Sequence, residues 1–256
     1  MPHVRYLLSI QDFIEQCLDL SLEIDGVITD APYNHLEGHR SVGTTTRLQG
    51  EWFDTLSMDE ITDIMNQMKD ILTRGSHVYF WGNTHSTYDF KDMFKSLGYE
   101  YNNTLFWVKN RLGMGYSYRN VCEPILFVSN GKRRKVRDMA QKNVFTYPKP
   151  KKMPPFAKPP LIYEDILRSA SRTQEIWLDP FAGTDPFSRL REKTYSLKVK
   201  DKGAEKKTWK YWSVHTIGVD VKFSDRAYPY PFKPRTKVGK DHPSEIASSS
   251  NVPSFP

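Results

Sequence analysis

Two short apolar runs, each closed by an aspartate, limit what this chain can fold into more than any other feature. The first is Val27-Ile28-Thr29, followed by Asp30-Ala31-Pro32-Tyr33. The second is Ile176-Trp177-Leu178, followed by Asp179-Pro180-Phe181-Ala182-Gly183-Thr184-Asp185. Each reads as a buried strand that leaves its sheet sharply at a proline. Open α/β sheets place ligands at the carboxyl ends of such strands. At the first, a carboxylate and a backbone carbonyl can each accept a hydrogen bond from an amino group, and Tyr33 offers a flat face to a planar ring. Taken alone, Asp-Ala-Pro-Tyr is equally an ordinary turn. At the second, small residues let backbone lie close to a ligand.

In this order the pair resembles the amino-group DNA methyltransferases. Their catalytic motif is Asp/Asn/Ser-Pro-Pro-Tyr and their cofactor motif is Asp-Pro-Phe-x-Gly-Ser/Thr-Gly. With the catalytic motif first, the chain is similar to the permuted class called beta. Phe106-Trp107-Val108-Lys109 and Arg119-Asn120-Val121-Cys122-Glu123 match two further stretches that recur there, and Lys158-Pro159-Pro160-Leu161 matches the lead-in to the cofactor strand.

The resemblance implies S-adenosyl-L-methionine as cofactor, held by Lys158, Asp179, Pro180, Phe181, Gly183, Thr184 and Asp220. It implies a catalytic set of Asp30, Ala31, Pro32 and Tyr33. Asp30 and the Ala31 carbonyl would hold the target amine while Tyr33 stacks on a base flipped out of the duplex. Aspartate at the first position points to adenine N6, because cytosine-N4 enzymes more often carry serine there. Such chemistry works by positioning and electrostatics and calls for no metal.

Two positions depart from the family pattern. Ala31 replaces a proline but keeps the carbonyl. Asp185 replaces the second glycine of the cofactor motif and puts a negative side chain where backbone should approach the cofactor. Asp185-Pro186 also reads as a helix start, and a side chain turned outward, or meeting the cofactor's amino group, would relieve the conflict. The expected function is therefore an adenine-N6 DNA methyltransferase. The alternative is a catalytically impaired methyltransferase-fold subunit that binds nucleic acid or an active partner.

The rest of the chain reads as alternating helices and strands. Helices are expected over 7–20, from the Ser57 capping box to a stop at Gly75, over 85–97 and, following Lys158-Pro159-Pro160-Leu161, through 162–170; strands are expected over 24–29, 76–81, 99–108, 121–128, 175–178 and 214–221. This alternation predicts an α/β fold, a Rossmann-like methyltransferase sheet with helices on both faces and permuted motif order. Asp220, at the end of the strand after the cofactor loop, can meet ribose hydroxyls. The 35–50 stretch reads as a long loop, 197–212 as a Lys-rich insertion or hairpin, and 233–256 as a disordered tail beyond a domain spanning 1–232.

Nucleic-acid contacts are expected from a basic connector over about 109–157. Lys109, Arg111, Tyr116, Tyr118 and Arg119 interleave charge with aromatic rings, and Lys132, Arg133, Arg134 and Lys135 form a run of one sign. A plain exposed hairpin or a solvated charged face are the alternatives. A net charge of +7 over 256 residues suits a polyanion, DNA or RNA. No apolar run approaches the roughly 18 residues of a membrane span, so an intracellular protein of cytoplasm, nucleoid or nucleus is expected. Cys17 and Cys122 cannot build a disulfide framework and have no zinc-like spacing. Members of the resembling class often dimerise, which leaves a homodimer or a heteromeric partner open.

Overall fold

The computed structural model describes residues 3–33, 55–112, 118–149, 157–191, 195–199 and 208–220. The expected loop over 35–50, Tyr116 and the tail over 233–256 lie outside these residues.

An eight-stranded sheet organises the chain. Its strands are β1 (His3–Leu7), β2 (Ile24–Thr29), β3 (Leu72–Trp81), β4 (Glu100–Val108), β5 (Cys122–Ser129), β6 (Val144–Phe145), β7 (Ile176–Asp179) and β10 (His215–Asp220). Their spatial order is β1-β10-β7-β2-β3-β5-β4-β6. Only β5 runs against the others. The remaining strands, β8 (Tyr195–Val199) and β9 (Thr208–Trp212), pair only with each other as an antiparallel hairpin. This is the hairpin expected within 197–212, begun two residues earlier.

Among the described residues, four α-helices cover the sheet. In α1 (Ile10–Asp19), Ser9 caps the start by accepting the Asp12 N–H at 3.0 Å, and Ile10, Phe13, Ile14 and Cys17 form the buried stripe. In α2 (Met58–Gln67), Ser57 and Glu60 close the capping box that their spacing predicted. For α3 (Ser86–Ser96), the Asn83 side chain accepts the N–H groups of His85 and Ser86, each at 2.8 Å. Pro160 opens α4 (Pro160–Ala170) at a position where its missing N–H costs nothing. The first three helices pack on one face, where Phe13, Ile61 and Phe90 meet Val27, Val78 and Phe80. On the other face α4 covers Ile28, Tyr79, Trp81 and Trp177. The alternation of Val78 and Phe80 with Tyr79 and Trp81 is the two-residue strand period at work.

Two expectations need correction. Strands β1 and β6 were not anticipated; β1 pairs along all five residues with β10, and β6, inside the expected irregular connector, pairs in parallel with β4. The helix expected to reach Gly75 ends at Gln67, passes through a 3₁₀ turn over Met68–Asp70, and gives way to β3 at Leu72. The reason is tertiary. Ile24 N–H donates to Ile71 O at 2.7 Å, which draws Leu72 into the sheet, and Gly75 at φ +78° absorbs the register shift that follows.

The parallel strands bring their carboxyl ends to one edge of the sheet. From the centre the chain runs outward in two directions, from β2 to β3 and from β7 to β10. The crevice between β7 and β2 is thus the switch point at which ligands bind in doubly wound sheets.

Candidate active site

Asp30 follows β2 and Asp179 ends β7, so the two aspartates stand on neighbouring strands at the switch point. A buried hydrogen bond joins the strands there: Thr29 Oγ1 donates to Asp179 Oδ1 at 2.7 Å. The Phe181 N–H donates to the same oxygen at 3.2 Å and folds the loop back over the strand end. Asp179 is 1% exposed, and burial drives its carboxyl well above the usual carboxylate range against those two bonds. Its carboxylate therefore joins Thr29 of β2 to the loop, which it organises from beneath.

Asp30 faces a charged cluster drawn from three segments. Lys158, just before α4, places its ammonium 3.1 Å from Asp30 Oδ2 and 2.9 Å from Glu123 Oε2. Glu123, at the start of β5, also pairs with Lys109 at the end of β4. The Lys158 ammonium sits 4.9 Å from the centre of the Trp81 ring, and Lys109 sits 5.4 Å from that of Trp107. Burial pushes the Asp30 carboxyl up, and the Lys158 charge works against that rise. Burial also penalises the charged form of Lys158, but Asp30 and Glu123 outweigh it and hold the ammonium above its ordinary value. Glu123 ends below its ordinary value, since the two lysines overcome its burial.

The turn after Asp30 leaves acceptors in place. Ala31 O takes the Tyr33 N–H at 3.0 Å and keeps a second lone pair, and Pro32 O takes the Leu56 N–H at 2.6 Å. Tyr33 meets Phe90 of α3 edge-on, with centroids 5.0 Å apart at 82°. Tyr33 also borders a cavity of about 570 Å³, together with Leu56, Met58, Asp89 and Met93. Neither Asp30 nor the 181–185 loop lines that cavity.

The loop after Asp179 takes two residues through the left-handed region, Gly183 at φ +47° and Asp185 at φ +50°. Asp185 is 5% exposed, so its side chain does not turn outward. It lies against Gly218 of β10, where any Cβ would come within 3.3 Å of Asp185 Oδ1, and Oδ2 is 3.0 Å from His3 Nε2. Among the described residues, a Cβ built on Gly183 meets only Phe181 O, at 3.7 Å. The helix start suggested by Asp185-Pro186 exists only as a 3₁₀ turn over Phe187–Arg189, with the Ser188 N–H donating to Asp185 Oδ1 at 3.3 Å. Asp220 ends β10 opposite Leu7, at the same edge of the sheet as Asp179.

The structure divides the expected nucleic-acid residues between two edges. Lys109 and the exposed Arg111, Tyr118 and Arg119 lie between β4 and β5 at the carboxyl edge, where Lys109 pairs with Glu123, the partner of Lys158. Tyr118 is 97% exposed. Lys132, Arg133, Arg134 and Lys135 follow the far end of β5, where Ser129 pairs with His77, and so stand at the opposite edge. Arg134 serves the fold itself, because it pairs with Glu175 and donates to Asp25 O at 3.2 Å, clamping the starts of β2 and β7. Lys132, Arg133 and Lys135 are exposed, and Arg133 donates to Asn102 Oδ1 at 3.3 Å. Sequence reasoning assigned no role to Glu123, Thr29, His3 or Arg5. Glu123 lay inside a stretch that resembles the family, and Thr29 directly precedes Asp30; the other two carried no local signal.

A family model described as a DNA methylase, of the N6/N4 type, matches residues 24–188. The chain belongs to this N6/N4 DNA methylase family. Asp30, Glu123, Lys158, Asp179 and Asp185 fall inside the matched span; His3, Arg5 and Asp220 fall outside it. Among solved structures, the chain is similar to M1.HpyAVI, with TM-score 0.60 and 15% identity over 86% of this chain and 93% of that one. It is similar to TTHA0409 from Thermus thermophilus, a DNA modification methylase by description, with TM-score 0.54 and 18% identity over 86% and 89%. A third is the cytosine-N4-specific PvuII DNA methyltransferase, with TM-score 0.57 and 13% identity over 87% and 83%. At these identities the likeness is one of fold. M1.HpyAVI and TTHA0409 have each been crystallised with S-adenosyl-L-methionine. Comparison with curated proteins gives no match. Among the described residues, no helix is long and apolar enough to cross a membrane.

Proposed function

We propose that this chain, as a methyltransferase domain over 1–232, transfers a methyl group from S-adenosyl-L-methionine to N6 of an adenine flipped out of DNA. One observation carries the proposal. The Thr29–Asp179 hydrogen bond ties the strand that delivers Asp30 to the strand that delivers the 181–185 loop, so an amine acceptor and a cofactor cradle share one crevice. Family membership and the complexes of M1.HpyAVI and TTHA0409 support the choice of cofactor.

The residues fit such a group. Among the described residues, the loop presents backbone and open space at Gly183, and the Asp185 carboxylate is turned into the sheet face. When bound, S-adenosyl-L-methionine supplies an electrophilic methyl on sulfur. Ionised Asp30 and the free lone pair of Ala31 O accept the two N–H bonds of the target amine and aim its lone pair at that methyl. Tyr33 offers its ring to the extruded base and offsets part of the unstacking. Lys158 fixes the Asp30 carboxylate and opposes its protonation. Aspartate at position 30, where cytosine-N4 enzymes more often carry serine, is what favours adenine.

The test is transfer of labelled methyl from S-adenosyl-L-methionine to duplex DNA by the purified chain, with RNA as a second polymer and Asp30→Ala as control. Label in DNA that disappears in Asp30→Ala supports the proposal. Cofactor binding without transfer to either polymer favours the impaired-subunit alternative.

A further inference from the structure

The cofactor loop is bolted to a strand that the family model does not cover. His3 and Arg5, alternate residues of β1, reach it from the same side of the strand. His3 Nε2 donates to Asp185 Oδ2 at 3.0 Å, while His3 Nδ1 lies 3.1 Å from the Thr216 hydroxyl of β10. With Nε2 donating, Nδ1 of the neutral ring accepts from that hydroxyl, so one tautomer satisfies both bonds. Arg5 Nη2 donates to Gly183 O at 3.2 Å. The Ala182 N–H also ties the loop to β10, donating to Val219 O at 2.9 Å, and within the loop the Asp185 N–H donates to Ala182 O at 2.6 Å.

We infer that His3 and Arg5 are positioning residues for the cofactor loop, and that the His3–Asp185 pair does here what the second glycine of the motif does in the wider family. The inference rests on the methyl-transfer reading of the loop. Its physical content is a paired substitution. An aspartate in the left-handed region brings a carboxylate that would stand over the loop unless something draws it down. Gly218 leaves space for it on the sheet face, and the imidazole gives it a partner there. Without the imidazole, Oδ2 of the buried carboxylate loses its hydrogen-bond donor, and the loop would open to hydrate it. Burial raises the Asp185 carboxyl, but the His3 hydrogen bond, the Arg5 charge and the Ser188 N–H outweigh it and hold it below the usual range.

Calorimetric titration of S-adenosyl-L-methionine into five full-length proteins tests this: the unmodified chain, His3→Ala, Asp185→Gly, His3→Ala with Asp185→Gly, and His3→Gln. His3→Ala is expected to weaken cofactor binding about tenfold or more by stranding the carboxylate. Asp185→Gly is expected to bind within about threefold of the unmodified chain, and adding it to His3→Ala to restore that affinity. His3→Gln, which keeps a donor, is expected to fall between. Hydrogen exchange gives a readout free of cofactor: His3→Ala accelerates exchange at the Ala182 and Asp185 amides, and the double variant reverses this. A His3→Ala protein that binds as tightly as the unmodified chain, or a double variant no better than His3→Ala, overturns the inference. If none of the five binds, the methyl-transfer reading falls with it; if the unmodified chain binds and His3→Ala binds equally, only the inference falls.

Discussion

At the scale of single residues, the account turns on Asp30 and its partner Lys158. Asp30→Ala removes the carboxylate that accepts the target amine, and methyl transfer should fall by about a hundredfold or more, the range seen when one preorganised electrostatic group is lost. Cofactor affinity, read by calorimetry, should change little, because Asp30 holds the amine and the loop is built from β7. Lys158→Met tests the electrostatics. Burial raises the Asp30 carboxyl and Lys158 restrains the rise. A raised carboxyl keeps its proton to a higher pH, so kcat should fall on the acid side above the ordinary aspartate value of about 4. Removing Lys158 should move that limb further up in pH; a limb that stays or moves down would contradict the assigned contact. Asp30 and Asp179 were legible because each ends an apolar run and begins a motif. Asp185 was legible as a departure but not in its consequence, since its partners His3 and Gly218 are remote in sequence and only the sheet brings them together.

At the scale of elements, α1, α3, α4 and the strands around Asp30 and Asp179 could be read from periodicity and start signals. The capping box of α2 was explicit in Ser57 and Glu60, and Ser57→Ala should cost about 1 kcal/mol in thermal or chemical unfolding. The end of α2 was not legible, because Ile71 and Leu72 continue the helical spacing while the bond from Ile24 N–H pulls them into β3. Strand β1 escaped notice for another reason. It is five residues long, and its polar members His3 and Arg5 serve the 181–185 loop and not a core. The basic run after β5 divides into a structural residue and exposed ones. Arg134→Ala should destabilise the fold by about 3 kcal/mol, since it strands Glu175, whose side chain is 8% exposed, and thermal melting would show it. Lys132→Ala and Lys135→Ala, at exposed positions, should leave the melting temperature within about a degree.

For the whole molecule, sheet polarity decides which charges can serve the crevice. The described residues between β4 and β5 stand at the carboxyl edge, and the run over 132–135 stands at the other edge. Charge reversal at Arg111 and Arg119 should therefore weaken binding of a short duplex and lower the salt slope of log K by about one per lost phosphate contact. The same change at Lys132, Arg133 and Lys135 should leave short-duplex affinity within about twofold. Equal losses from the two sets would show that the strand ends do not define the nucleic-acid face. Composition could signal a polyanionic partner but not this partition, because +7 is a sum over the chain and the edges appear only once β5 is seen to run against its neighbours. The central claim is that one crevice joins the cofactor loop to an acceptor for the adenine amine. Mass spectrometry of nucleosides from DNA incubated with the purified chain and S-adenosyl-L-methionine tests it most directly. The account predicts N6-methyladenine, absent with Asp30→Ala; N4-methylcytosine, or N6-methyladenine that persists in Asp30→Ala, would contradict it.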